Sequence, residues 1–241
     1  MWDQRLDAIC EEIKNINPDM IALQEVKSFV EEKGVSNAAQ QIANRIEYPF
    51  CIFREYPDSP EEGLAILSKL PLLQAEAIWD TEFNEENYCA LRIVINYGGT
   101  TFGFTNVHLN WRSPEIRLKQ IQTVNKWISK DFKSVEILSG DFNDNPNSNI
   151  HRYLQGSLWV DTAEFYENTN LVKAKPTLDF KNNNHLIKLK ASIDQYRYDW
   201  VLIKVNEAKY TPKIQSVDVF ANYPSKSSQI FPSDHYGVVI T

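Results

Sequence analysis

The chain has 241 residues, with 32 acidic against 25 lysine and arginine side chains and a formal net charge of −7. That balance excludes the basic footprint of a protein that grips long duplex nucleic acid. It still admits a polyanionic substrate, provided a bound cation supplies positive charge locally. The length suits one large domain over residues 1–241. No apolar run approaches the ~20 residues needed to cross a bilayer. The first residues are acidic and amphipathic and do not read as a signal peptide, so the expected location is the cytoplasm, with a signal removed ahead of residue 1 left open. Cys10, Cys51 and Cys89 are widely spaced and form no CxxC pair, which predicts small buried apolar side chains, not disulfides or a zinc site.

In chain order, Trp2, Leu6, Ile9, Ile13 and Ile16 recur at helical spacing, with Asp3 as the expected cap and Asn17-Pro18-Asp19 as the stop. Met20–Val26 reads as a buried strand. A helix is expected near Asn37–Glu47, followed by short strands at Phe50–Phe53 and Leu64–Ser68. Residues 72–108 are strand-rich, and Tyr97-Gly98-Gly99-Thr100 is a hairpin signal. Ser113-Pro114 opens a helix whose inward face is Leu118, Ile121, Val124 and Ile128. Residues 135–143 form a strand running into a polar loop, and a short helix is expected over 147–156. Residues 166–195 are polar and read as a long surface loop. Strands follow at 198–205, 216–220 and the C-terminus. Several strands join without helices between them, which favours mixed, mostly antiparallel sheets covered by helices.

Polar residues gather at the ends of these apolar strands: Glu25 after IALQ, His108 after FTNV, Asp141 and Asn143 around the end of EILSG, Asp199 before WVLI, and Asp234-His235 before YGVV. A carboxylate at one strand end is ordinarily a solvated edge or a turn cap. Strand ends in a layered fold share an edge, however, and several carboxylates gathered there repel one another unless a cation intervenes. A hard oxygen-ligated ion such as Mg²⁺, with Mn²⁺ as a substitute, suits that donor set. Trp111 and Arg112 follow His108 and fit either the substrate mouth or surface packing. The Glu61-Glu62 and Glu85-Glu86 pairs read as solvated turns, and Tyr196, Tyr198 and Trp200 as core and sheet-face packing.

These residues lie in PDMIALQEV, EGLAILSK, TNVHL, SGDFND, YDWVLI and SDHYGVV, in that order from residue 18 to 239. In this combination the chain resembles the endonuclease/exonuclease/phosphatase superfamily, which has the DNase I-like fold. The resemblance implies an α/β four-layer αββα sandwich with its site at one end of the paired sheets. It implies Glu25 as principal metal ligand and Asp234 as a direct or indirect metal partner. On the same resemblance Asp141 would orient or deprotonate the attacking water, and Asn143 would hold that water or the phosphate. His235, paired with Asp199, and His108 would face the phosphate. Glu62 would be the loosely placed partner for His108, a solvent-facing glutamate being the competing reading.

The expected activity is hydrolysis of a phosphate ester, with a phosphodiester preferred and nucleic acid among the substrates. The segments YRYDW and SDHYGV depart from the pattern of the apurinic-site repair branch, which leaves the substrate open. No feature points to an obligate protein partner. The family pattern also begins with a strand ending in Asn, and here the chain opens at the helix. That departure raises an alternative, a shortened and catalytically impaired module that binds a phosphate-bearing ligand.

Overall fold

A computed structural model describes residues 2–31, 34–57, 59–79, 90–206 and 212–241. Cys89 and the Glu85-Glu86 pair lie outside the described residues.

The chain runs α1 (Trp2–Ile16), β1 (Met20–Glu31), β2 (Gly34–Asn37), α2 (Ala38–Ile46), β3 (Phe50–Tyr56), β4 (Ser59–Ser68), β5 (Leu72–Ile78), β6 (Ala90–Tyr97) and β7 (Thr100–His108). It continues through α3 (Pro114–Lys130), β8 (Val135–Asp141), α4 (Asn149–Gly156), β9 (Val160–Asp161), α5 (Thr162–Asn170), β10 (Leu178–Asp179), α6 (Asn184–Ile187) and β11 (Gln195–Tyr196). β12 (Asp199–Val205), β13 (Val217–Phe220) and β14 (Gly237–Ile240) complete it.

Two sheets face each other. One is four-stranded in the order β2-β1-β4-β3; the other is six-stranded in the order β5-β6-β7-β8-β12-β9. Among the described residues, all pairings are antiparallel except β7–β8, which is parallel and bridged by the α3 crossover. The period-2 alternation of β4 shows how the layers arise. Ala65 and Leu67 pack outward on Leu6, Cys10 and Ile13 of α1 and Ile42 of α2. Leu64 and Ile66 point inward onto Leu91, Ile93 and Phe104 of the opposite sheet. The outer face of that second sheet, carrying Val107, Leu138, Trp200 and Leu202, is covered by Ile121, Val124 and Ile128 of α3 and Ile150 and Leu154 of α4. The result is the four-layer αββα sandwich expected from the sequence.

Local signals hold in detail at several places. Gly98 and Gly99 both take positive φ in the β6–β7 turn, 59° and 79°, as a two-residue hairpin turn requires. Ser113 caps α3 with its hydroxyl on the Ile116 N–H, and Pro114 opens the helix. Cys10 and Cys51 are free, and burial pushes both thiols up, Cys51 to about 11. Among the described residues no helix is long and apolar enough to cross a membrane.

Two expectations need correction. Asp3 sits inside the first turn of α1, not ahead of it, where its charge still complements the helix N-terminus. Residues 166–195 are not one continuous surface loop. They hold the end of α5, β10, α6 and β11, and Thr177, Leu178, Asp179, Asn183 and Leu186 are buried. Asp179 folds this segment locally, accepting from the Lys181 and Asn182 N–H groups and from the Asn182 and Gln195 amides.

Candidate active site

Three neighbouring strands bring the polar groups together by register. His108 at the end of β7 stands opposite Asp141 at the end of β8, and Asp141 stands opposite Asp199 at the start of β12. Gly140 makes this possible. Its φ is +136°, and a Cβ there would lie 2.0 Å from the Val107 carbonyl oxygen, so only glycine lets β8 approach β7 so closely before Asp141. The segment ahead of β14 delivers His235, which is bridged to Leu178. Asn183 fixes that segment by donating from Nδ2 to the Ser233 and Asp234 carbonyls.

The resulting centre is compact. Ligand atoms of Asp141, Asp199 and His235 all lie within 4.8 Å of one another. His235 Nδ1 is 2.9 Å from Asp199 Oδ2. Burial alone would pull the imidazolium down, but the Asp199 carboxylate, with Asp141 and Asp234, overrides it and holds His235 up at about 10. It is therefore a cation at neutral pH. Asp141 is buried, and that burial pushes its carboxyl up to about 7; Asp199 and Glu25 push the same way, while His235 and the Asn143 N–H oppose them. His108 is almost fully buried, with Nδ1 2.9 Å from Tyr56 Oη and Nε2 3.7 Å from Asp141 Oδ2. Burial and the charge on His235 hold it down at about 4, so it is a neutral imidazole.

Glu25 is the exposed member. It sits at the bulge in β1, where pairing with β4 shifts between Leu23 and Val26, and its φ is +51°. Such a break in the ladder re-aims a side chain. The preceding residue is anchored across the sheets, since Gln24 Nε2 donates to Asn106 Oδ1 at 2.6 Å. Asn106 in turn donates to the Leu23 and Ala65 carbonyls. Asp234 is half-exposed, 3.8 Å from Arg5. Burial raises its carboxyl, but His235 and Arg5 among others leave it below the usual range. Asn143, at φ +52°, donates from Nδ2 to the Leu109 carbonyl at 2.8 Å. Glu62 is not drawn to His108. It pairs with Lys27, its cross-strand neighbour on the β1–β4 ladder, and Tyr56 takes the place beside His108.

Sequence reasoning missed four residues that build this site: Tyr56, Asn106, Thr177 and Asn183. Thr177 Oγ1 accepts from both the Tyr198 and Asp199 N–H groups, which fixes the entry to β12. Asn106 lies inside the TNVHL segment, and a polar side chain at an inward, otherwise apolar strand position was the available signal for it.

The donor set suits a hard divalent cation. Glu25, Asp141 and Asp234 offer carboxylate oxygens at one edge. Hard oxygen donors of this kind are the ones such an ion takes.

A two-sheet α/β sandwich with carboxylates and two histidines gathered at its strand ends is the DNase I-like architecture. The Endonuclease/Exonuclease/phosphatase family model matches residues 1–235, and the chain belongs to that family. No curated protein matches the chain. Among solved structures it is similar to D. rerio TDP2 complexed with a single-strand DNA product, at TM-score 0.77 and 16% identity, covering 98% of this chain and 90% of that one. A functionally unknown conserved protein from Enterococcus faecalis V583 matches at TM-score 0.73 and 20% identity, covering 100% and 92%. Staphylococcus aureus beta toxin matches at TM-score 0.70 and 16% identity, covering 99% and 91%. At these identities the likeness speaks to the fold.

Proposed function

We propose that this chain is a single-domain, divalent-metal-dependent phosphodiesterase, with Glu25 as the principal ligand of a Mg²⁺ ion and Asp141 and Asp234 beside it. When bound, such an ion neutralises phosphate charge and polarises the P–O bonds. Asp141 orients the attacking water and takes its proton as the water oxygen bonds to phosphorus. A carboxyl pushed up to about 7 is matched to that transfer near neutral pH. His235, kept cationic by Asp199, faces the charge that develops on the phosphate oxygens as the bond to the leaving oxygen breaks. His108 stays neutral and offers an N–H to the same phosphate. Asn143 holds the loop after Asp141 in place, and its side-chain oxygen is available to position the water.

The observation that carries this reading is the Asp199–His235 pair set against a buried Asp141 within 4.8 Å. The single-strand DNA product in the TDP2 structure supports nucleic acid as one substrate class. The test is hydrolysis of bis(p-nitrophenyl) phosphate with Mg²⁺, with Mn²⁺ and with EDTA, beside His235→Ala. Metal-dependent turnover lost in the variant supports the reading; turnover that survives both EDTA and the substitution overturns it.

A second reading, a phosphate-ligand binder with impaired turnover, draws on one observation. Among the described residues, β1 has no strand neighbour on the side away from β4 until Ser28, just past Glu25. Mn²⁺ and phosphate binding without turnover would favour it.

A further inference from the structure

Trp111 is 56% exposed. Exposing so large an aromatic forgoes hydrophobic burial, and a flexible loop would fold it away. Here the backbone of the turn is held in place. Asn110, 2% exposed, accepts on Oδ1 from the Arg112 and Ser113 N–H groups at 3.0 and 2.8 Å, and its own N–H donates to Gln120. Arg117 Nη1 donates to the Asn110 and Trp111 carbonyls at 3.0 and 3.3 Å, and Arg117 is paired with Asp144 at 2.9 Å. The guanidinium of Arg112 lies 4.8 Å over the indole. An aromatic braced this firmly at the surface is preorganised to receive another planar group.

Its position relates it to the chemistry. Leu109 donates its N–H to the Asp141 carbonyl at 3.0 Å and accepts from Asn143 Nδ2 at 2.8 Å. Trp111 is two residues further on, no more than about 7 Å of backbone. Tyr198 adjoins Asp199, shares the Thr177 hydroxyl with it, and accepts the Phe142 N–H on its carbonyl. Tyr198 is stacked on Tyr196 at 5.2 Å.

We propose that Trp111 is a stacking platform for a base of single-stranded nucleic acid, presenting the adjoining phosphodiester to the centre around Asp141 and His235. This rests on the phosphodiesterase reading and narrows it to substrates with unpaired bases. Bases within a duplex are already stacked, whereas a single strand offers each π-face to an aromatic side chain. With a net charge of −7, stacking supplies affinity that backbone electrostatics cannot.

The test is equilibrium binding in EDTA of a fluorescein-labelled oligothymidylate and an abasic strand of equal length. The wild type is expected to bind the base-bearing strand on the order of 5–100-fold more tightly. Trp111→Ala should abolish that preference while leaving the abasic affinity unchanged, and Trp111→Phe should keep part of it. Equal binding of the two strands by the wild type, no binding of either, or a preference that survives Trp111→Ala overturns the proposal. Failure of the parent reading is distinguishable. A base preference without metal-dependent hydrolysis of bis(p-nitrophenyl) phosphate sinks the phosphodiesterase alone, and hydrolysis without a base preference sinks the platform alone.

Discussion

Two clusters in this molecule have the same ingredients and opposite electrostatics. Asp141, Asp199 and His235 form one; His151, Asp161 and Glu164 form the other, and in each the ligand atoms lie within 4.8 Å. In the second, Asp161 is fully enclosed and every demand on it is met. It accepts from Arg197 at 2.7 and 3.2 Å, stands 2.9 Å from His151 Nε2, and caps α5 through the Ala163 and Glu164 N–H groups. Burial raises its carboxyl, but His151 and Arg197 outweigh that and hold it at about 2. In the first cluster, among the described residues, no guanidinium bonds Asp141; burial, with Asp199 and Glu25, pushes it to about 7 against the opposing His235. Similar donor sets thus divide into a structural knot neutralised by Arg197 and a centre whose buried carboxyl stays raised, where we propose the cation binds. Counting acids and histidines does not separate them; the charge that faces them does.

The comparison breaks most visibly through activity. His235→Ala should lower kcat on a phosphodiester by a factor on the order of 10²–10⁴, as for a positioned electrostatic group. Stability should fall as well, because the substitution leaves Asp199 and Asp141 without the cation that faces them, so kcat is compared per folded molecule. In the second cluster the loss falls on stability instead of activity. Asp161→Ala should cost about 3–5 kcal/mol of stability by leaving Arg197 uncompensated. Turnover per folded molecule should change far less than in His235→Ala.

A smaller effect sharpens the contrast in metal response. Asp141 is a buried carboxyl raised first by desolvation and then by Asp199 and Glu25, so Asp141→Asn should stabilise the protein in EDTA at pH 8 by on the order of 1–3 kcal/mol. Added Mg²⁺ should then raise the melting temperature of the wild type more than that of the variant. A variant less stable than wild type in EDTA would contradict the raised carboxyl.

Asp161 also sets an acid limit. Its folded value of about 2 lies below the unfolded ~3.9, so its contribution is present above pH ~4 and is lost as pH falls through about 2. The expected loss is roughly 2 kcal/mol, and Asp161→Asn should show a flatter acid limb in urea unfolding. Smallest of all, Glu62→Gln should leave kcat/KM within about twofold, since its pair with Lys27 lies at the surface.

Much of the centre was legible because its residues close apolar strands whose period is plain. SGDFN carries its own reason, a glycine at φ +136° that lets β8 approach β7 and deliver Asp141 opposite His108. What was not legible are residues whose role is a bond to a distant backbone. Asn106 reaches Leu23 and Ala65, and Asn183 reaches Ser233 and Asp234, across sequence separations no local pattern encodes. The same cause turned residues 166–195 into an expected loop, because a polar segment folded on a buried Asp179 has the composition of a solvated one. Glu62 failed for the opposite reason. Proximity in sequence to an apolar strand suggested the site, while register gave it to Lys27.

The most direct measurement is a Mn²⁺ titration followed by water-proton relaxation, on wild type, Glu25→Gln, Asp141→Asn and Glu164→Gln. The account predicts binding by the wild type, weakened in Glu25→Gln and Asp141→Asn and unchanged in Glu164→Gln. Binding that is lost in Glu164→Gln and indifferent to Glu25 and Asp141, or no binding at all, would contradict it.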